Sequence, residues 1–197
     1  MKILQIKISL TDTNERWGYK SMLQNTTSAT YLRPLRMDDL DNILEWVNDF
    51  EVRKNFADFT GKKTREEEKE YIEKMISSKN DRVYSVENEQ RAYIGQVGLH
   101  QIYWPAKNAR IAITIGKKEE WGKGHAQRAA RQLLGIAFKA LELNKVWAIH
   151  YEENERMHHI LEKVGFRTEG ILEEEYCSSD GYHDMVRMAV LKKRWME

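Results

Sequence analysis

The chain has 197 residues, with two prolines, eleven glycines and one cysteine, and its 32 basic and 31 acidic side chains leave a formal net charge of +1. That length and so few breakers describe one globular domain with a sizeable core, and the charge balance excludes a general binder of nucleic acid or acidic membrane. The lone cysteine, Cys177, excludes an internal disulfide framework and a cysteine zinc cluster; it fits a reducing compartment, so a cytoplasmic location without a bound metal is expected.

Residues 1–30 read as an N-terminal extension. Ile3, Ile6, Ile8 and Leu10 outline a short extra strand, and Thr11–Thr30 is polar. Lysine, glutamine and serine interrupt Met1–Leu10, so it lacks the apolar core of a signal peptide, and no other segment has the apolar length of a membrane span. Residues 31–197 read as a single domain. A strand Tyr31–Leu35 leads to Asp38 as N-cap of a helix that buries Leu40, Ile43, Leu44 and Val47 and ends near Asn48. Thr64 and Glu67 have capping-box spacing ahead of a helix whose stripe is Tyr71, Ile72, Met75 and Ile76. Arg82–Val86, Tyr93–Tyr103 and Arg110–Ile115 follow as an antiparallel meander.

A helix is predicted over Gln127–Leu143, with Ala126, Ala130, Leu133, Leu134, Ala137 and Leu141 on one face. Val146–Tyr151 is a buried strand, and a strand crossing over through a helix predicts parallel pairing with the strand before the crossover. Asn154 caps a further helix carrying Met157, Ile160, Leu161 and Val164, which Gly165 ends. Thr168–Tyr176 and Met185–Leu191 flank a hairpin turn centred on Asp180-Gly181.

The most informative segment lies between Glu120 and Ala126, reading Glu-Trp-Gly-Lys-Gly-His-Ala between a strand and a helix start. Gly122 and Gly124 can adopt backbone conformations closed to other residues, so successive N–H groups converge in front of the helix N-terminus and make an anion site suited to a pyrophosphate. Two nucleotide signatures fail. Lys123 is followed by Gly124 rather than by Ser or Thr, which argues against a Walker loop, and the third glycine and later acidic residue of the dinucleotide fingerprint are missing.

The order of elements is informative in its own right: Trp-Gly-Lys-Gly-His-Ala opening a long helix, then a strand, Asn154, and Leu161-Glu-Lys-Val-Gly-Phe166. With Leu32-Arg-Pro-Leu35, Leu44-Glu-Trp-Val47, Glu169-Gly-Ile-Leu172, Asp180-Gly-Tyr-His-Asp184 and Trp195, this order resembles the GCN5-related N-acetyltransferase (GNAT) superfamily over about Tyr31 to Trp195. The branch it is similar to holds ribosomal-protein N-terminal and spermidine acetyltransferases. The resemblance implies an α/β (α+β) GNAT fold, a mixed and mostly antiparallel central sheet with helices on both faces. It implies acetyl-CoA as cosubstrate, with Ile113, Thr114 and Ile115 beside the pantetheine arm. Trp121, Gly122, Lys123, Gly124, His125 and Ala126 would surround the pyrophosphate, and Asn154 would lie near the arm. Trp121 stands where relatives carry Gln or Arg, a departure expected to alter shape more than main-chain phosphate binding.

Acetyl transfer needs a neutral amine, a polarised carbonyl and a proton for the departing thiolate. Relatives often supply a tyrosine where this chain has Leu161 and a glutamate where it has Arg110. The substitute candidates are Tyr176 and His183 on the final hairpin, beside Tyr182 and Asp184, with His100 as a further histidine on its long strand. His158 and His159 are consecutive on a helix, diverge, and read as surface or packing groups. A covalent route through Cys177 has no identifiable activating pair. The expected acceptor bears a primary amine, on a protein N-terminus, a polyamine or an amino sugar, and a homodimer is the expected assembly. A polyamine site would gather carboxylates such as Glu45, Asp49 and Glu51. The rival reading is a non-catalytic CoA-binding sensor.

Overall fold

The computed structural model describes residues 29–56, 61–178 and 181–195. The extra strand expected within residues 1–30 lies outside them. Seven strands form one sheet in the order β1-β2-β3-β4-β5-β7-β6: β1 (Tyr31–Pro34), β2 (Arg82–Glu87), β3 (Tyr93–Tyr103), β4 (Asn108–Ile115), β5 (Lys145–Tyr151), β6 (Arg167–Ser178) and β7 (Gly181–Leu191). All neighbours pair antiparallel except β4 and β5, which are parallel as the crossover predicts. That parallel ladder is short. Asn108, Ala109 and Arg110 pair with Lys145, Val146 and Trp147, and from Ile111 onward β4 has a strand neighbour only in β3.

Helices cover both faces. On one face α4 (His125–Gly135) and α5 (Glu155–Lys163) bury Ala130, Leu133, Leu134 and Leu161 against Val97, Leu99, Ile111, Val146 and Met188. On the other, α1 (Leu40–Val47), the short α2 (Phe50–Arg53) and α3 (Arg65–Ser77) pack Ile43, Trp46, Val52, Ile72 and Met75 over Val83 and Tyr93. The C-terminal α6 (Lys192–Trp195) sets Trp195 against Phe138, with ring centroids 5.5 Å apart. Among the described residues no helix is long and apolar enough to cross a membrane.

The capping box of α3 forms as predicted: Thr64 Oγ1 accepts the Glu67 N–H at 3.2 Å and Glu67 accepts the Thr64 N–H at 2.8 Å. Three local readings need correction. Asp38 does not cap α1; Met37–Asp39 forms a 3-10 turn, closed by Asp39, whose carboxylate accepts the Arg36 N–H. The helix expected over Gln127–Leu143 begins at His125, and after Gly135 it widens into a π turn, Ile136–Ala140, that brings Phe138 wholly into the core. Ile76, assigned to the buried stripe, is 54% exposed, because α3 contacts the sheet through Ile72 and Met75.

Asp39 is the polar anchor of the α1 side. It is 1% exposed, takes both terminal nitrogens of Arg33, and accepts the Ser85 hydroxyl at 2.7 Å. Burial pushes its pKa up, but the hydrogen bonds from Arg33, Ser85 and the Arg36 N–H more than offset this and hold it below the usual 3.8. A depressed carboxyl contributes stability that is present above the unfolded pKa and lost as pH falls through the folded one, so this contribution fades on acidification below 3.8. Asp39→Asn should lower unfolding free energy by about 3 kcal/mol at pH 7 in urea titrations, with the difference from wild type shrinking only as pH falls below 3.8.

Candidate active site

The glycine turn follows β4 directly. Gly122 and Gly124 have φ of +78° and +79°, the left-handed region that favours glycine. A Cβ on Gly122 would meet nothing within 4 Å, so that side of the loop is open. Gly124 is the N-cap of α4 and offers no side-chain cap, which leaves the first-turn N–H groups of an eleven-residue helix directed outward. In front of them is a cleft of about 320 Å³. Ile115, Trp121, Gly122, Gly124, His125 and Ala126 line it on one side, and Arg156, His159, Ile160 and Lys163 of α5 line the other. Main-chain donors facing an arginine, a lysine and a histidine form a cradle for phosphate oxygens. The residues present therefore fit the pyrophosphate of a CoA thioester.

Two side chains hold the loop in place. Trp121 Nε1 donates to the Ile115 carbonyl at 2.7 Å, and the Arg156 guanidinium lies 4.9 Å above its ring. The indole thus ties the loop to the end of β4, a shaping role consistent with what was expected at this departure. His125 is 2% exposed. Its Nε2 lies 3.1 Å from Glu120 Oε2 and its Nδ1 lies 2.8 Å from Thr30 Oγ1. A carboxylate only accepts, so the neutral ring donates from Nε2 and accepts the Thr30 hydroxyl at Nδ1. Burial lowers the His125 pKa and neighbouring Arg128 adds to this, with Glu120 in partial opposition. Arg128 Nε and Gln132 Nε2 close the network on Thr30 at 2.8 and 2.7 Å. Thr30, counted with the N-terminal extension in the sequence, is buried as part of the domain.

The remaining expected cofactor residues fall outside the cleft lining. Lys123 is turned to Glu120 at 3.1 Å, Asn154 accepts the Met157 N–H at 3.1 Å as cap of α5, Ile113 points into the core, and Thr114 faces the α1 side beside Gln96. Sequence reasoning missed the α5 wall. Its signal was the spacing of Arg156, His159, Ile160 and Lys163 on one helical face, but such a basic face reads equally as solvated. His158 and His159 do diverge: His158 packs edge-on against His150 at 5.3 Å, and His159 lines the cleft.

Tyr176 and His183 are cross-strand partners on β6 and β7. Both rings meet Tyr151 at the end of β5, at 5.7 and 5.1 Å. His183 is engaged on both nitrogens, with Ser178 Oγ 2.8 Å from Nε2 and Glu153 Oε1 3.6 Å from Nδ1. Leu161 is 1% exposed and belongs to the core. Glu45, Asp49 and Glu51 are paired with Lys117, Lys118 and Lys54. Cys177 is exposed, and among the described residues no group of three or more His, Cys, Asp or Glu is arranged to hold a metal ion.

A mixed sheet parted between two parallel strands, with an anion cradle at the mouth of the gap, defines an acyl-CoA-dependent transferase. Comparison with known proteins makes the family explicit. The profile described as "Acetyltransferase (GNAT) domain" matches residues 30–167, and the chain belongs to that family. It is 30% identical over 165 residues to spermidine N(1)-acetyltransferase of Escherichia coli K12, covering 84% of this chain and 87% of that protein. It is 34% identical over 101 residues to the putative ribosomal N-acetyltransferase YdaF of Bacillus subtilis, 51% of this chain and 55% of that protein. The crystal structure of Vibrio cholerae spermidine N-acetyltransferase in complex with CoA and spermine superposes with a TM-score of 0.80 at 29% identity, covering 85% of this chain and 98% of that one. The GNAT fold, the acetyltransferase class and the use of acetyl-CoA expected from the sequence therefore hold.

Gly124→Val tests the cradle. A β-branched residue at φ +79° costs about 1–2 kcal/mol, and its Cβ would press on Arg128 Nη1, 2.9 Å away. Calorimetry should show acetyl-CoA binding weakened by ~10-fold or more, with the circular dichroism of the fold retained; unchanged affinity would contradict the assignment.

Proposed function

We propose that the chain transfers the acetyl group of acetyl-CoA directly to a primary amine of a polyamine. The observation that carries this reading is the cleft: glycine-loop and α4 N-terminal donors facing Arg156, His159 and Lys163, beside the stretch of β4 that has left β5. Acetyl-CoA supplies the activated acetyl. The loop and α5 bind its phosphates, the free edge of β4 from Ile111 to Thr114 takes the pantetheine arm by main-chain hydrogen bonds, and Trp121 closes the end of that edge.

The polyamine acceptor draws on the spermidine acetyltransferase relatives, which align over most of the chain, and on charge at the hairpin. Glu173, Glu174 and Glu175 are exposed on β6, and Glu152 and Glu153 follow β5, beside the aromatic group of Tyr151, Tyr176 and His183. Unlike Glu45, Asp49 and Glu51, which are neutralised by lysines, Glu152, Glu173, Glu174 and Glu175 are available to a distal ammonium, while Glu153 lies 3.6 Å from His183 Nδ1. Tyr176 and His183 receive the acceptor at this mouth; the engagement of both His183 nitrogens assigns them to binding ahead of proton abstraction.

Free-thiol release should be measured with acetyl-CoA and four acceptors: spermidine, spermine, N-terminal peptides and an aminoglycoside. Polyamine-dependent turnover should exceed that with the other amines by ~10-fold or more in kcat/KM. Preference for a peptide N-terminus would reject the polyamine acceptor, and tight acetyl-CoA binding without turnover on any amine would favour a CoA-binding sensor.

A further inference from the structure

The transfer proposed above needs a group to take a proton from the acceptor ammonium, and the sheet face turned away from the cofactor cleft carries one. Val97 and Leu99 of β3 point into the core under α4, so by strand alternation Gln96, Gly98 and His100 point towards α1 and α3. Their β4 partners, Thr114, Ala112 and Arg110, share that face. His100 lies opposite Arg110, the last residue of β4 paired with β5, and so stands where the sheet begins to part. With the donor held on the α4 and α5 side, an amine reaches the thioester from this opposite face.

The His100 ring is oriented through one nitrogen and unengaged at the other. Its Nδ1 is 3.1 Å from Asp81 Oδ1, and Asp81 is itself fixed by the Ser78 hydroxyl at 2.6 Å and the Gln101 N–H at 3.2 Å. Because the carboxylate only accepts, the neutral imidazole carries its proton on Nδ1 and leaves Nε2 as a bare acceptor. That nitrogen lies over Gly98, where a Cβ would stand only 2.7 Å from it, and the neighbouring floor is Ala112. The absence of a side chain at Gly98 is thus what allows the ring to lie flat on the strand with Nε2 unengaged.

We propose that His100 Nε2 is the catalytic proton acceptor for the attacking amine, with Asp81 as its positioning residue. The proposal rests on the acetyltransferase reading. One proton passes from the ammonium to Nε2, giving a neutral amine and an imidazolium. The nitrogen lone pair forms the C–N bond at the thioester carbonyl carbon, the C–S bond breaks with its electron pair on sulfur, and the second nitrogen proton goes to that sulfur. The products are the acetamide and free thiol, and the imidazolium returns its proton to water.

The groups facing His100 support a neutral resting ring. Burial lowers its pKa below 6.5 and the Arg110 cation on β4 lowers it further, while Asp81 opposes both. On α3, Tyr71 faces this part of the sheet with its phenol pushed up to about 12 by burial, and Glu68, one turn earlier, is 5% exposed with its carboxyl raised by burial.

Two readouts test the assignment, one of them free of turnover. In the protein without acetyl-CoA, imidazole ¹⁵N NMR should show His100 neutral at pH 7 with its proton on Nδ1; a proton on Nε2 overturns the proposal. In steady state, wild-type kcat/KM should fall as pH drops through the His100 pKa, below 6.5, and level off above it. His100→Gln should lower kcat/KM by ~100-fold at pH 7 with acetyl-CoA affinity unchanged, its rate rising with pH towards the acceptor's own pKa of about 10. Asp81→Asn should keep the imidazole but lower kcat more than it changes KM. A His100→Gln protein that melts and binds acetyl-CoA like wild type, yet keeps the wild-type rate and profile, overturns the proposal and leaves the acetyltransferase reading standing. A wild-type chain inactive on every amine overturns the reading itself, and the proposal with it.

Discussion

β4 and β5 pair over three residues each, and beyond Arg110 and Trp147 the two parallel strands go separate ways. In a closed sheet the main-chain N–H and C=O groups of β4 would be used by β3 on one side and by β5 on the other, and none would be left for a ligand. Parting the strands frees one edge of a rigid element, and that edge is held in register on its other side by β3 from Gly95 to His100. The freed edge ends at the glycine turn, so a linear ligand anchored at the turn is led along the gap to the point where the strands rejoin. The cleft in front of the glycine turn lies at the end of this edge, and Gly98 pairs with Ala112 on the opposite face of the sheet.

The loop at the mouth of the gap is fixed from behind. Glycine supplies the conformation, but glycine alone is mobile, and the support comes from side chains below it: Trp121 on the Ile115 carbonyl, and the buried His125 between Glu120 and Thr30. In this arrangement the imidazole of His125 is a strut beneath the glycine turn. Thr30 is engaged by three side chains of α4, so the segment leading into β1 is part of the cofactor site's foundation.

Much of this could be read in the residues, and what escaped did so for definite reasons. The capping box of Thr64 and Glu67, the meander, the crossover and the turn at Gly122 and Gly124 are local patterns with a local physical cause, and they appear as predicted. Asp39 was invisible because its partners Arg33 and Ser85 are brought to it by the sheet rather than by sequence spacing. The π turn that buries Phe138 breaks the 3.6-residue period on which a helical stripe is judged. The α5 wall hid for the opposite reason: a basic helical face is the commonest surface there is, and only the cleft in front of it sets Arg156, His159 and Lys163 apart.

In the function proposed above, the glycine turn and the free edge of β4 together hold a CoA thioester. A crystal structure of the protein with CoA tests this most directly. Pyrophosphate oxygens should lie within hydrogen-bonding distance of the N–H groups of Gly122 to Ala126, with Arg156 or Lys163 on their far side and the pantetheine arm between β4 and β5. A CoA molecule bound elsewhere, or one whose phosphates are held without those N–H groups, would contradict it.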